Sequence, residues 1–347
     1  MTENNTSQKD FRDYTKKVWI AGSILLLIVI IALLFKTLFS LILLLLAGIL
    51  IAIFFHGCAN ILERHFHWNS KVCVVISVLV NILLLAAFFW FVGARLSNQI
   101  SQLSNTLPET IQNVKEHLNN STVGGKIIEY LNSSGSSVKT MEVAQAFFSS
   151  TFGLLSDLYI VFLLAIFFTA APSIYTKGII LLLPPKAKEK GKVIMDKIKV
   201  VLEKWIKGQI IGFVFISVLT GIGLLILKMP LILTLALIAG LLNLIPNFGP
   251  IIALIPAVLL SLNEGTTFII ILICMYTFVQ ILQSAVEQPL VQQKMVNIPP
   301  ALTIFGQIAL GLLAGFWGVL LCVPVIVIIK ALVNELYVKN QPEMVKA

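Results

Sequence analysis

Apolar positions in this chain come in long unbroken runs, at about 18–35, 38–56, 72–94, 151–171, 208–227, 231–262, 266–286 and 301–333. A bilayer core about 30 Å thick takes roughly 20 apolar residues of helix to cross. The pattern therefore predicts an all-α polytopic integral membrane protein with about eight transmembrane segments. Only Lys36 and Thr37 separate the first two runs, which are expected to form a tight helical hairpin. The runs 231–262 and 301–333 are too long for one straight span and read as two half-length arms or a strongly tilted helix. This places discontinuous or re-entrant helical hairpins in the C-terminal half. In the second run, Gly306, Gly311, Gly315, Gly318 and Pro324 permit close packing or a bend.

The polar segments divide the chain into a tail at 1–17, N-terminal transmembrane segments at 18–94, an extracytoplasmic segment at 95–150 and a single span at 151–171. A basic loop follows at 172–207, then a C-terminal transmembrane core at 208–335 and a short tail at 336–347. The basic loop carries Lys177, Lys186, Lys188, Lys190, Lys192, Lys197, Lys199 and Lys204, and lysine-rich connections stay in the cytoplasm. Counting crossings back from it puts 95–150 outside, 57–71 inside and the N-terminus inside. Apolar residues from Leu96 to Leu118 recur at helical spacing and predict an amphipathic helix on the outer surface or against a neighbouring subunit. Val18–Phe35 is longer than a cleavable signal core and lacks a small-residue cleavage site, so it reads as a retained first span.

Composition sharpens this picture. The chain is 58% hydrophobic and 12% charged, against about 25% charge in soluble domains. Much of the net charge of +9 sits in one connection beside membrane spans, so it needs no nucleic acid to explain it. The four cysteines lie in or beside apolar runs without metal-ligand spacing and are expected to be structural thiols. His56, His65 and His67 lack clustered carboxylates or thiols, and no metal site is assigned to them. The phosphate-cradling Gly-x-x-x-x-Gly-Lys-Ser/Thr loop, the Gly-x-Ser-x-Gly elbow and the zinc-binding His-Glu-x-x-His helix are all absent. Neither a catalytic residue nor a cofactor is assigned, and the chain is not read as an enzyme.

The polar punctuation within apolar runs carries more information. Asn243, Pro246, Asn247, Gly249 and Pro250 interrupt the 231–262 run, and two prolines break any helix there. Broken backbone at membrane depth persists only where protein or a watery cavity satisfies it, and transporters bind cargo at such breaks. A tight turn outside the membrane wants the same residues, so the spacing leaves both readings open. If the break is intramembrane, the Leu242 carbonyl and its neighbours lose their donors, and either the amides of Asn243 and Asn247 satisfy them or those carbonyls face a substrate or cation. Gln280, Gln283, Ser284 and Glu287 fall at offsets of one helical face and are expected to line or gate a path. Glu287 and Asp157 are the possible ion-coupling carboxylates, while Gln209 and Gln307 read as packing hydrogen-bonders. Asp157 lies close to the outer end of its span, where an interfacial role is favoured over a proton relay.

The block Trp205-Ile-Lys-Gly-Gln209, then Met229-Pro230, then Leu242-Asn-Leu-Ile-Pro-Asn-Phe-Gly-Pro-Ile-Ile-Ala-Leu-Ile-Pro256 resembles the AI-2E (autoinducer-2 exporter) family. Val279-Gln280, Pro289-Leu-Val-Gln292, Ile298-Pro-Pro-Ala-Leu302 and Ala309 to Pro324 extend the resemblance over roughly 200–335. It implies a bacterial inner-membrane permease with about eight membrane segments, discontinuous in its C-terminal half and homo-oligomeric. Some members are linked to autoinducer-2 export and others to sodium(lithium)/proton antiport. Members commonly carry Glu where this chain has Gln283, which moves the carboxylate to Glu287 or removes it. The expected function is a secondary permease exporting a small polar metabolite, with a cation as the alternative cargo in an antiporter. A third class is an envelope interaction protein that uses 95–150. The lipid bilayer is the expected environment, with cargo held by the neutral amides.

Overall fold

A computed structural model describes residues 3–88, 90, 91, 93, 140–261, 264–286 and 298–337. Among these residues every regular element is helical. The long helices are α1 (Glu3–Phe66), α2 (Ser70–Phe88) and α3 (Thr140–Ala170). They are followed by α4 (Pro172–Leu181), a 3-10 turn at Pro185–Ala187 and α5 (Lys188–Ile226). The rest of the chain forms α6 (Ile232–Leu242), α7 (Gly249–Ser261), α8 (Thr266–Leu282), α9 (Pro300–Leu320) and α10 (Cys322–Leu336).

Five of these helices are long and apolar enough to cross a membrane, and α3 with α4 forms a sixth candidate bent by 88°. The protein is therefore a multi-pass membrane protein. Its outward-facing Leu, Ile and Phe side chains are what a helix in hydrocarbon requires.

The expected hairpin between 18–35 and 38–56 does not form, because α1 runs straight through Lys36 and Thr37. Reversing a helix takes a turn residue, and no Gly, Pro or Asn stands between Ser23 and Ala47. Thr37 instead donates its hydroxyl back to the Leu33 carbonyl at 3.0 Å, satisfied inside the helix. One continuous helix also removes a crossing from the count that placed the N-terminus beside 57–71. The helical reading of 96–118 and Glu287 both lie outside the described residues. The basic stretch 172–207 is mostly helix, formed by α4 and the first half of α5.

The C-terminal half of α1 is the hub. Leu43, Leu46, Ala47 and Leu50 are buried against Val161 of α3, Leu202 and Trp205 of α5, and Trp317 and Leu321 near the α9–α10 junction. Gly48 lets α1 approach Val161 and Leu164 closely, and farther along His56 lies against the Thr169 backbone. Helices α1 and α3 are thus parallel. The Ser77 hydroxyl donates to the Phe55 carbonyl at 2.8 Å and folds α2 back along α1.

Helix α5 positions both C-terminal hairpins. The first is α6–α7. Gly240 sits against Ser217 and Phe213, and Gly221 sits against Ala236, so α6 runs antiparallel to α5. A turn with Lys228 and Leu231 at positive φ begins it, beyond the apolar end of α5. The second is α9–α10. Lys197 near the basic end of α5 forms an ion pair with Glu335 near the end of α10, and Leu202 and Trp205 share a core with Leu321 and Trp317. Helix α10 is therefore also antiparallel to α5, with its free end at the basic end.

The two hairpins consequently enter from opposite ends of α5. Between Lys197 and Ile226, α5 rises about 44 Å, and both tips reach its middle. The long run 301–333 is a folded-back pair rather than one tilted span. Backbone angles turn non-helical at Ala314 and Gly315. Gly311 then meets Val319, and Gly306 meets Cys322 and Ile326, as antiparallel arms require.

Candidate functional site

The first hairpin turns at Asn243–Phe248. Prolines remove donors here, yet short local bonds keep the backbone satisfied. The N–H of Ile245 donates to the Leu242 carbonyl at 2.9 Å, Phe248 to Pro246 at 2.8 Å, and Gly249 to Ile245 at 2.9 Å. The expectation that Asn243 and Asn247 serve the Leu242 carbonyl is corrected by this geometry, since a tight turn supplies the donor and frees both amides. Asn247 takes a left-handed φ of 68°, a conformation Asn tolerates better than most residues. Gly249 lies directly under the turn, where a β-carbon would collide with the Leu242 carbonyl oxygen.

The freed amides bind glutamines from the rest of the core. Gln283, just past α8, donates through Nε2 to Asn243 Oδ1 at 2.6 Å, in a buried pair. Asn247 donates through Nδ2 to Gln307 Oε1 at 3.0 Å, and Gln307 Nε2 donates to the Pro246 carbonyl at 2.7 Å. Gln307 lies midway along the first arm of the second hairpin and is 1% exposed. Asn243, Asn247, Gln283 and Gln307 thus link the tip of one hairpin to α8 and to the other hairpin. Nothing in this group carries charge, so its chemistry is neutral hydrogen bonding, with both donor and acceptor at each amide.

Gln307 is the residue that sequence reasoning underrated. The available signal was a glutamine inside an apolar arm, where an unsatisfied amide is costly. Among its described residues, the predicted Gln280–Glu287 face is divided instead of continuous. Gln283 begins a π-helical turn over residues 283–286 and faces inward, while Gln280 and Ser284 line an open depression of about 440 Å³ with Thr277, Ile281 and Ala285. The extra residue in a π-turn rotates side chains relative to an ideal helix. Pro250 opens α7 just after Gly249. Asp157, on α3, accepts a hydrogen bond through Oδ2 from the Trp317 indole at 2.8 Å and stays apart from the amide group.

A sequence profile described as AI-2E family transporter matches residues 23–338. Among characterised genomes, YueF of Bacillus subtilis (strain 168) is 24% identical over 307 residues, covering 83% of this chain and 81% of that protein. YrrI of the same organism is 26% identical over 151 residues, covering 44% of this chain and only 43% of that protein. A Thermotoga maritima protein is 24% identical over 147 residues, covering 42% of this chain and 45% of its own length. All three are assigned to transport by name only.

Proposed function

The chain belongs to the AI-2E transporter family, and from that premise we propose that it is a secondary permease exporting a small polar metabolite such as autoinducer-2 or a related hydroxylated signal. The observation that carries this reading is the amide group at the tip of the first hairpin, level with the middle of α5. Half-helix ends near the middle of a membrane protein are where secondary transporters hold cargo. Four neutral amides suit a polyol-like molecule, whose hydroxyls can replace each amide–amide bond in turn. The Asn243–Gln283 and Asn247–Gln307 pairs then describe the site closed on itself, with cargo substituting for the partner amide.

Efflux tests this reading directly. Cells loaded with a panel of hydroxylated metabolites, autoinducer-2 among them, are expected to lose efflux at least tenfold with Asn243→Ala while membrane insertion is unchanged. Wild-type efflux of the whole panel by a well-inserted Asn243→Ala protein would refute the site. Sodium(lithium)/proton antiport is the second reading. The favouring observation is Asp157, a carboxylate on an apolar helix tied to the second hairpin.

A further inference from the structure

The amide group does not involve Asp157, and a carboxylate inside a membrane helix needs its own account. Asp157 is half-buried and lies thirteen residues before the end of α3 at Ala170, about 20 Å along the helix. Among the described residues it has no cationic partner, since its contact is the neutral Trp317 indole. Trp317 sits just past the reversal at Ala314 and Gly315, so the bond holds the apex of the second hairpin to α3.

Among the described residues the surroundings supply no other charge. On α1, the register set by Gly48 brings the apolar stretch around Leu41–Leu44 level with Asp157. Lys36 is the nearest charged residue on that helix and faces outward, more than a turn away. Helix α9 has no titratable residue from Pro300 to Leu320. On α4 the nearest titratable groups are Tyr175 and Lys177, beyond the bend that follows Ala170. Tyr159 on α3 points outward.

We propose that Asp157 is a proton-binding site whose occupancy sets how tightly Trp317 holds the apex of the second hairpin. Ionised, the carboxylate makes a charge-assisted bond to the indole, about twice as strong as a neutral one. A proton from water adds to Oδ1, forming one O–H bond with no change of oxidation state. Oδ2 then accepts only as a neutral carbonyl, and the apex loosens. Alternating access works by rocking or gating one packed unit against another, and a loosened apex frees such a unit.

Two measurements test this without knowing the cargo. In full-length protein in which Trp19, Trp68, Trp90 and Trp205 are replaced by Phe, the fluorescence of Trp317 is followed across acidic to alkaline pH. A single transition that disappears on adding Asp157→Asn is expected. Identical curves with and without that change would overturn the proposal, as would a response to sodium at fixed pH in place of one to protons. The second readout is Cys322, buried where the two hairpin arms meet, its thiol packed on the Thr303 carbonyl. With Cys58, Cys73 and Cys274 replaced by Ser, labelling of Cys322 by a membrane-permeant thiol reagent is compared at matched pH between Trp317 and Trp317→Phe proteins. The labelling ratio is expected to be severalfold at alkaline pH and to approach one on acidification. A ratio constant with pH would mean a structural tie only, and would contradict the proposal even if Asp157→Asn failed to fold.

Discussion

The two hairpins share a plan and differ at their tips. In each, a short apolar arm reverses and returns against its partner, and a glycine at the closest approach has no room for a β-carbon. Gly249 lies on the Leu242 carbonyl, and Gly318 lies on the Leu310 carbonyl. The first tip presents amides, because Pro246 and two asparagines make its turn. The second turns at Ala314 and Gly315, with a φ of 58° at Gly315, and its one polar handle is the Trp317 indole. One plan thus yields a hydrogen-bonding tip and an apolar tip tethered, among the described side chains, by a single bond. Close backbone packing builds a re-entrant element, and the few polar residues at its apex decide what it can bind.

The steric half of this comparison should give the largest effects. Gly249→Ala and Gly318→Ala each drive a methyl into a carbonyl, and each is expected to cost about 3 kcal/mol or to block folding. Thermal unfolding in detergent checks this, with Gly178→Ala as control because nothing lies within 4 Å of a β-carbon there. Equal stability of the two tip variants and the control would remove the shared plan. Gln307→Ala comes next, because it deletes both bonds between the hairpins inside the core, with an expected loss of about 2 kcal/mol by the same assay. Trp317→Phe keeps the ring and loses one bond to a carboxylate, so it should cost about 1.5 kcal/mol. Gln280→Ala touches only the open depression and is expected to leave stability within about 0.5 kcal/mol. If Trp317→Phe proved costlier than Gln307→Ala, the second tip rather than the first would hold the hairpins in place.

Much of this was legible in the sequence, and the reasons are local. The break at 243–250 announced itself because Pro and Asn have no other use in an apolar run. The excess length of 301–333 and its glycines pointed to the second fold-back. The N-terminal hairpin was misread because Lys36 and Thr37 interrupt hydrophobicity without interrupting helix, and hydropathy alone does not mark a turn. Pairings across long separations were beyond reach. Nothing near Asp157 indicates Trp317, and nothing near Asn243 indicates Gln283, since only the packing of α3, α8 and the hairpins brings them together. The π-turn after α8 likewise re-aimed Gln283, and ideal helical spacing could not anticipate that.

The central claim is that the tip of the first hairpin touches the first arm of the second. The most direct test is linking Asn247→Cys to Gln307→Cys with a short bifunctional thiol reagent in a protein whose four native cysteines are replaced by Ser. Side chains that meet at 3.0 Å predict efficient intramolecular linking by that reagent, seen by mass spectrometry as one linked peptide pair, with a much weaker link when Gln307→Cys is replaced by Leu313→Cys. Absence of the 247–307 link in folded protein, or equal linkage at 313, would contradict the opposed-hairpin arrangement.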